Sequence, residues 1–537
     1  MTRKSFVRGA AILAVAGLAN RVVGAISRII LPAMIGDEGM GLFQMAYPIY
    51  SMFLVVSTAG VPVAVSKLVS EQATKGNMAN ARRILRVAAT ILFMTGALGT
   101  LVLIASARRL SLTVLKDPRA SISIIATAPA VLLLSFMSAF RGYFQGLQEM
   151  ELSACSQITE QLVRVFFMIG LAYVLLPRGI EYSAAGAAFG AVAGGLAGLF
   201  VIMVPYYTRS GSPSSNMNMG MVTSPDDDYM ASFGSLARRI FSLSIPIVIG
   251  AAIMPLMQVV DAALIPTRLN AAGITGTDVT KLYGQLTGMA LPLVYFPTVV
   301  TTALAASAVP AVSEALTYKD RRMLVSRSQD VIWLGMLIGL PASLGLYLLA
   351  DEFCAMFYKL PQAGVALRAV AFGTLFLCLQ QTTSGVLQGL GEVTVPVKNL
   401  FIGAILKAAI NYIFTGIPSI GIKGAAWGTV AGFGVSSILN LVELSRMLGL
   451  TLDVGRHVLK PLVATGTMGL GVVAGYRLAY GFFASNTIAT LAATSAGVFV
   501  YGLLLLVTGT IRVREVEMLP MGTRIARVLR RLGLVHE

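Results

Sequence analysis

Two arginines inside an apolar stretch constrain this chain more than any other feature. Residues 20–32 read NRVVGAISRIILP and lie within an apolar run from about Gly9 to Ile35. Such a run is long enough to span a bilayer as a helix. Arg21 and Arg28 are seven residues apart, which is about two helical turns, or roughly 10 Å of rise. Both guanidinium groups therefore leave nearly the same side. Lipid cannot be that side, because an arginine at the bilayer centre costs at least about 2.5 kcal/mol. The helix must face an internal polar space, and the rest of the chain must build it.

The rest of the chain is suited to that task. Of 537 residues, 56% are hydrophobic and 12% charged, about half the charge of a soluble protein. Apolar residues run continuously instead of alternating, which excludes a β-barrel. The expected fold is an all-α polytopic membrane protein with fourteen transmembrane helices. They fall at 10–35, 44–66, 84–106, 120–142, 157–177, 184–206, 240–265, 286–310, 329–350, 366–388, 395–416, 421–446, 458–480 and 486–508. The eighth is the least regular, since Pro292, Pro297 and Pro310 interrupt it. The basic N-terminus is not read as a cleavable signal, because the segment behind it is too long.

Charge placement gives an orientation. With the N-terminus in the cytoplasm, 26 of 41 basic residues fall on the cytoplasmic side, 10 outside and five within spans. This bias puts both termini in the cytoplasm. The loop with Arg108, Arg109, Lys116 and Arg119 opposes it. The net charge of +17 is assigned to cytoplasmic loops and anionic membrane lipids, not to nucleic acid.

The chain also repeats itself. SAAGAAFGAVAG at 183–194 matches GIKGAAWGTVAG at 421–432, and GYFQGLQE at 142–149 matches GVLQGLGE at 385–392. VPVAVSKLVSE at 61–71 echoes VPAVSEA at 309–315. The similar offsets indicate duplication of a six-helix unit. Six is even, so the copies are parallel. The expected division is an N-lobe at 1–206, a cytoplasmic linker at 207–237, a C-lobe at 238–446, two further helices at 447–510, and a basic amphipathic tail at 511–537. Asp226–Asp228 in the linker reads as a solvated acidic run. The tail is expected on the inner leaflet. Glycines and alanines of the repeat read as close helix packing. Pro32, Pro62, Pro255 and Pro310 mark the expected hinges, because proline frees backbone carbonyls and bends membrane helices.

Internal charges narrow the function. The Arg21–Arg28 pair suits a di-anionic group such as pyrophosphate, since guanidinium forks match phosphate oxygens. The competing reading pairs each arginine with a carboxylate or a helix end. Arg164 follows Glu160 by one turn, which favours an intrahelical pair. Asp261 lies in the seventh span, and Lys407 and Asn411 lie one turn apart in the eleventh. Asp261 and Lys407 either pair or serve ion coupling. No nucleophile has an ordered base, and no phosphate-binding glycine loop occurs. Three cysteines and two histidines form no metal-ligand spacing. Neither catalysis nor a cofactor is expected.

The run NRVVGAISRIILPAMIGDEGMGLFQMAYPIYSMFLVVSTAGVPVAVSKLVSE resembles the stage V sporulation protein B branch of the polysaccharide transporter family. So do FRGYFQGLQEMELSACSQITEQLVRV at 140–165, with Gln157, Glu160, Gln161 and Arg164 in a Q-x-x-E-Q-x-x-R pattern, and QGLGEVTVPVKN at 388–399. This branch belongs to the multidrug/oligosaccharidyl-lipid/polysaccharide (MOP) exporter superfamily, together with MurJ-like lipid II flippases. The resemblance implies two six-helix lobes, a cationic cavity and an undecaprenyl-pyrophosphate-linked glycan as substrate, foremost the peptidoglycan precursor lipid II. It places Asn20, Arg21, Arg28, Gln145, Glu160 and Arg164 at the substrate. It matches Asp261 to an acidic residue of a sodium site, where Lys407 is a departure. It makes the last two helices a groove for the isoprenoid tail. It implies a bacterial plasma-membrane location and cell-wall synthesis proteins as partners. Other readings are a flippase for another lipid-linked polysaccharide, a drug or cation antiporter, and a non-transporting scaffold for cell-wall assembly.

Overall fold

The protein is described from a computed structural model covering residues 3–58, 60–210, 232–450 and 454–509, without the side chains of 3–15, 18, 21, 209, 210, 454, 456 and 457. The Arg21 side chain, residues 211–231 of the linker with Asp226–Asp228, and the 511–537 tail lie outside the described residues. All regular elements among the described residues are helical. In hydrocarbon, helices satisfy their own backbone groups, and these sequences meet that demand.

The chain divides by contact into two compact units. Unit 1 comprises Met1–Asn270 and Ile274–Gly284, and unit 2 comprises Ala271–Gly273 and Gln285–Glu537. Unit 1 holds α1 (Arg3–Thr58), α2 (Val61–Thr74), α3 (Met78–Thr113), α4 (Ala120–Gly146), α5 (Met150–Leu175) and α6 (Ile180–Ser210). It also holds α7 (Phe233–Ala271) up to Asn270, and α8 (Thr277–Gly284). Unit 2 continues through a π-helix (Gln285–Ala290), α9 (Leu291–Tyr295), α10 (Thr298–Thr317), α11 (Arg321–Leu348) and α12 (Ala350–Tyr358). Then come α13 (Gly364–Val370), α14 (Gly373–Gly389), α15 (Thr394–Phe414), α16 (Ile422–Leu448), α17 (Lys460–Phe483) and α18 (Asn486–Val507). The interruptions at the π-helix and before Thr298 lie within the expected eighth span, where the sequence has its prolines.

Among the described residues, twelve helices are long and apolar enough to cross a membrane, and a thirteenth is counted if α13 and α14, bent by 48°, form one span. The expected number was fourteen. The difference lies at Val22–Thr74, counted as one stretch, which takes in most of the first expected span and all of the second, the latter running from α1 into α2. Gly36 interrupts that stretch at φ 69°, ψ −173°, a conformation that glycine adopts at no steric cost. The chain doubles back there. Gly24 and Tyr50 are 26 residues apart, or about 39 Å in a straight helix. Yet a Cβ on Gly24 would lie 3.3 Å from Gln161 Nε2, and Tyr50 lies in the electrostatic field of Glu160 and Arg164. Pro32, Pro255 and Pro310 sit inside helices, and Pro62 opens α2.

Arg119, one of the outside cations that oppose the charge bias, is held structurally. Its Nη1 donates to Glu38 Oε1 at 2.6 Å, and its Nη2 and Nε donate to Asp117 at 2.8 and 3.1 Å. Thr280 Oγ1 of α8 donates to Asp117 Oδ2 at 2.7 Å. Burial pushes the Asp117 carboxyl up, but the hydrogen bonds from Arg119 and Thr280 outweigh it and hold the group below the usual carboxylate range.

The helix packing of unit 1 is made a second time in unit 2. A Cβ on Gly142 or Gly146 of α4 would strike α2 at the Pro62 or Ser66 carbonyl, at 2.6 and 2.7 Å. A Cβ on Gly385 or Gly389 of α14, each 243 residues later, would strike α10 at the Ala305 or Val309 carbonyl, at 2.7 and 3.0 Å. A Cβ on Gly96 would lie 3.0 Å from the Leu132 Cα, as one on Gly339 would lie 3.0 Å from the Leu375 Cα. Between α5 and α6, a Cβ on Gly190 would meet the Arg164 carbonyl and one on Gly194 the Arg164 Cβ, both at 2.7 Å. Between α15 and α16, a Cβ on Gly428 would meet the Lys407 carbonyl and one on Gly432 the Lys407 Cβ, both at 3.0 Å. Small residues at these points let backbones touch, which is how membrane helices gain dispersion energy.

In unit 2, α17 and α18 pack on α11 and α12 through Trp333, Leu337, Leu349, Met468, Val472 and Tyr501. Tyr501 Oη donates to the Leu337 carbonyl at 3.1 Å.

Candidate functional site

The first half of α1 lies alongside α5. Gly24 faces Gln161, while Leu31 and Ile35 join Met168 and Ala172 in one apolar cluster. Each of the pairs 24/161, 31/168 and 35/172 is 137 residues apart, as expected for two parallel helices in register. Arg28 follows Gly24 by one turn on the same face. It therefore stands at the level of Arg164 and Val165, and it is exposed. Asn20, one turn before Gly24, is half-buried. The Arg21 backbone is in the same helix.

At this level α5 carries an ion network. Glu160 accepts from Arg164 on its own helix and from Arg141 Nη2 of α4 at 2.8 Å. Arg141 Nη2 and Nε also donate to Ser156 Oγ at 2.9 and 3.2 Å, and Ser156 Oγ donates to the Gly198 carbonyl of α6 at 2.9 Å. The three charged side chains are 13–19% exposed and sum to one positive charge. The intrahelical Glu160–Arg164 pair expected from their spacing is present, but it is half of a larger device. Arg141, at the cytoplasmic end of the expected fourth span, belongs by position to the cytoplasmic cations. Here it serves the network, because Glu160 has two oxygens and Arg164 occupies one. Gln145, one turn beyond Arg141, is half-buried in the last turn of α4.

The second half of α1 supplies what sequence reasoning missed. Phe43 and Tyr47 stack with ring centroids 6.0 Å apart at 28°, and Tyr47 and Tyr50 are 6.0 Å apart at 56°. Tyr47 is 36% exposed and Tyr50 2%. Both hydroxyls lie in the electrostatic field of Arg164. Tyr50 Oη and Arg164 Nε are buried without a hydrogen-bonding partner among the described residues. The signal was the i, i+4, i+7 spacing of aromatic residues in a span, but that pattern equally describes a core stripe.

In unit 2, Lys407 and Asn411 are buried on one face of α15 and pack against Gly428 and Gly432 of α16. Asp261 is buried in α7, within unit 1. Each of the three makes at least one polar or electrostatic interaction. Asn399 and Asn440 join Thr383 and Ser384 in a neutral network. Asn399 Nδ2 donates to Asn440 Oδ1 at 2.9 Å, and Asn440 Nδ2 donates to Thr383 and Ser384 hydroxyls at 3.1 and 3.2 Å. Among the described residues, no group of three or more His, Cys, Asp or Glu side chains is placed to hold a metal.

Comparison with known proteins bears on this arrangement. The family model for polysaccharide biosynthesis proteins matches residues 6–316, and the MatE model matches 286–413. Stage V sporulation protein B of Bacillus subtilis (strain 168) is 29% identical over 523 residues, covering 97% of this chain and 99% of that protein. The lipid II flippase MurJ of the same organism is 27% identical over 501 residues, covering 88% and 90%. Two solved structures share the fold at 14% identity. One is an inward-facing multidrug resistance MATE family transporter of the MOP superfamily, with a TM-score of 0.62 covering 80% of this chain and 94% of that one. The other is the lipid II flippase MurJ in an inward closed conformation, with a TM-score of 0.61 covering 92% and 98%. Fold, membrane helices and sequence agree: the chain belongs to the polysaccharide biosynthesis protein family, and its fold is that of the MATE and MurJ structures.

Proposed function

We infer that this protein flips an undecaprenyl-pyrophosphate-linked glycan across the bacterial plasma membrane by alternating access, with lipid II as the substrate. The observation that carries this reading is the cationic level of unit 1. Exposed Arg28 of α1 stands beside α5, whose Glu160 is already claimed by Arg141 and Arg164. Arg28 is thus not neutralised by that carboxylate and remains available to a pyrophosphate, with Arg21 two turns earlier as its partner. The similarity to a lipid II flippase over most of both chains supports the same substrate.

The wider scheme has α1 counted as two spans, giving fourteen, and two parallel six-helix lobes that bend at Pro32, Pro62, Pro255 and Pro310. Residues 447–510 guide the isoprenoid tail, the basic tail rests on anionic lipids, and both termini are cytoplasmic. Asp261, Lys407 and Asn411 contribute an internal pair or a coupling site. Cell-wall synthesis proteins supply the substrate and consume the product.

The MatE match at 286–413 favours a second reading, export of an organic cation. Proteoliposome transport separates the two. Translocation of a lipid-linked glycan without uptake of an organic cation supports the flippase, and the opposite pattern supports the antiporter.

A further inference from the structure

In unit 1, α7 rests on the corner where α1 gives way to α2. A Cβ on Gly60, whose φ is 83°, would lie 2.5 Å from the Ser244 carbonyl oxygen of α7. Glycine alone lets the two backbones meet there. Beside this contact is a cavity of about 170 Å³ between α1, α2, α3 and α7. Its walls include Ser57 of α1, Ile91 and Thr95 of α3, and Phe241, Ile245 and Ile249 of α7. The three α7 residues are exposed, so the cavity reaches the surface of unit 1. Its hydroxyls are mostly spent on backbone. Thr95 Oγ1 donates to the Ser57 carbonyl at 3.1 Å, and Ser57 Oγ donates to the Thr95 carbonyl at 3.5 Å. Ser244 Oγ adds one buried polar atom without a hydrogen-bonding partner among the described residues. One hydroxyl does not hold water, which needs about two to four polar partners. A dry void would forfeit dispersion contacts along its lining. An apolar cavity of about 150 Å³ holds benzene, so this one has room for about six carbon atoms.

The charge at one end of α7 says what carries those carbons. Arg239 Nη2 donates to Glu71 Oε2 of α2 at 2.7 Å. Its neighbour Arg238 is exposed and makes no hydrogen bond or ion pair among the described residues. Arg238 shares a face of α7 with Phe241, Ile245 and Ile249, at i, i+3, i+7 and i+11. It stands about 10 Å before Ile245 along the helix. Lys67 shares a face of α2 with Glu71, one turn nearer to Val61 in the cavity wall. It too is exposed and without such a partner among the described residues. Glu71 thus answers Arg239 and leaves Lys67 and Arg238 as a doubly positive rim.

An organic cation would meet the wrong charge at this rim, and a soluble anion would leave the cavity empty. A lipid with an anionic head satisfies both, and the exposed α7 wall opens where a bilayer presents phospholipid in bulk. We propose that α2, α3 and α7 form a site for an anionic phospholipid, with part of one acyl chain in the cavity and its phosphate met by Lys67 and Arg238. The site is separate from Arg28 and α5, and it stands whether or not the transport reading holds.

The test uses full-length protein in phosphatidylcholine nanodiscs. Two probes carry a photoactivatable diazirine in one acyl chain, phosphatidylglycerol and phosphatidylcholine with the same chains. Cross-linked peptides are located by mass spectrometry. At equal mole fraction, phosphatidylglycerol should label the cavity segments of α3 and α7 about tenfold more than phosphatidylcholine does. The double variant Lys67→Ala, Arg238→Ala should bring the two probes within about twofold. Ile245→Trp fills the cavity and should lower labelling there by both probes about fivefold. Ile249→Trp should do the same should the first variant fold poorly. Equal labelling by the two probes in wild type, or labelling unaffected by both tryptophan variants, would overturn the site. Displacement of the phosphatidylglycerol probe by undecaprenyl phosphate at about one-tenth of the concentration that unlabelled phosphatidylglycerol needs would assign the cavity to an isoprenoid and overturn the proposal.

Discussion

In unit 1 the junction of α4, α5 and α6 holds two arginines around one glutamate. In unit 2 the matching junction of α14, α15 and α16 holds two asparagines, a threonine and a serine. The offset of 243 that relates the glycine contacts also relates Arg141 to Ser384, Ser156 to Asn399, Glu160 to Gly403 and Arg164 to Lys407. On α6 and α16 the offset is 238, and it relates Ile202 to Asn440. The backbone frame is the same and the chemistry is not. A neutral network stands in unit 2 while the cation at the Arg164 position is kept as buried Lys407, so helix packing alone does not demand the Arg141–Glu160 pair of unit 1. Buried ion pairs seldom stabilise more than a neutral replacement does.

The largest expected effect comes from moving unit 1 toward the chemistry of unit 2. Glu160→Gly leaves Arg141 and Arg164 together without their carboxylate and should cost about 3–5 kcal/mol in unfolding free energy. Adding Arg141→Ser brings a second position to its unit 2 residue, removes the second cation and should recover more than half of that loss. Denaturant unfolding in detergent measures both, and additive losses would break the equivalence of the two junctions. Next, Asn440→Leu should cost about 1–3 kcal/mol by stranding Asn399 and its hydroxyl partners, less than Glu160→Gly because no charge is uncovered. The glycine contacts give a finer comparison. Gly194→Ala places a Cβ 2.6 Å from the Glu160 carbonyl oxygen, whereas Gly432→Ala places one 2.9 Å from the Gly403 carbonyl oxygen. Overpacking costs about 1–3 kcal/mol, and the unit 1 variant should lose more thermal stability than the unit 2 variant.

The smallest effect concerns the outer cluster of Asp117, Arg119, Glu38 and Thr280. Asp117 has a depressed folded-state pKa. Its contribution is complete above the unfolded carboxylate pKa and is lost as pH falls through the folded value. Wild-type melting temperature should therefore drop in acid by a component absent from Asp117→Asn. The component is modest, because Arg119 is 30% exposed and solvent screens the pair.

The features legible in sequence were those set by spacing along one helix. Seven residues make two turns, which is why Arg21 and Arg28 are expected on one side, though the Arg21 side chain lies outside the described residues. Glu160 and Arg164 meet because four make one. The glycines of 183–194 and 421–432 mark close packing because nothing else permits it. Tertiary partners were not legible. Arg141 sits near a span end, where a cation ordinarily reads as an orientation signal, and only the approach of α5 gives it Glu160 and Ser156. Tyr47 and Tyr50 carry a spacing that equally describes a core stripe, and only the fold sets them in the electrostatic field of Arg164. Arg119 opposed the charge bias because its distant partner, Glu38, lies 81 residues away in sequence.

The central claim is that the α1 arginines of unit 1 bind the pyrophosphate of a lipid-linked glycan during its passage. The direct measurement is head-group translocation of lipid II in proteoliposomes, comparing wild type with Arg21→Ala, Arg28→Ala and the double variant. The account predicts translocation by wild type and at least a tenfold loss in the double variant, as expected when a charge-assisted bidentate contact is removed. Undiminished translocation by the double variant would contradict it.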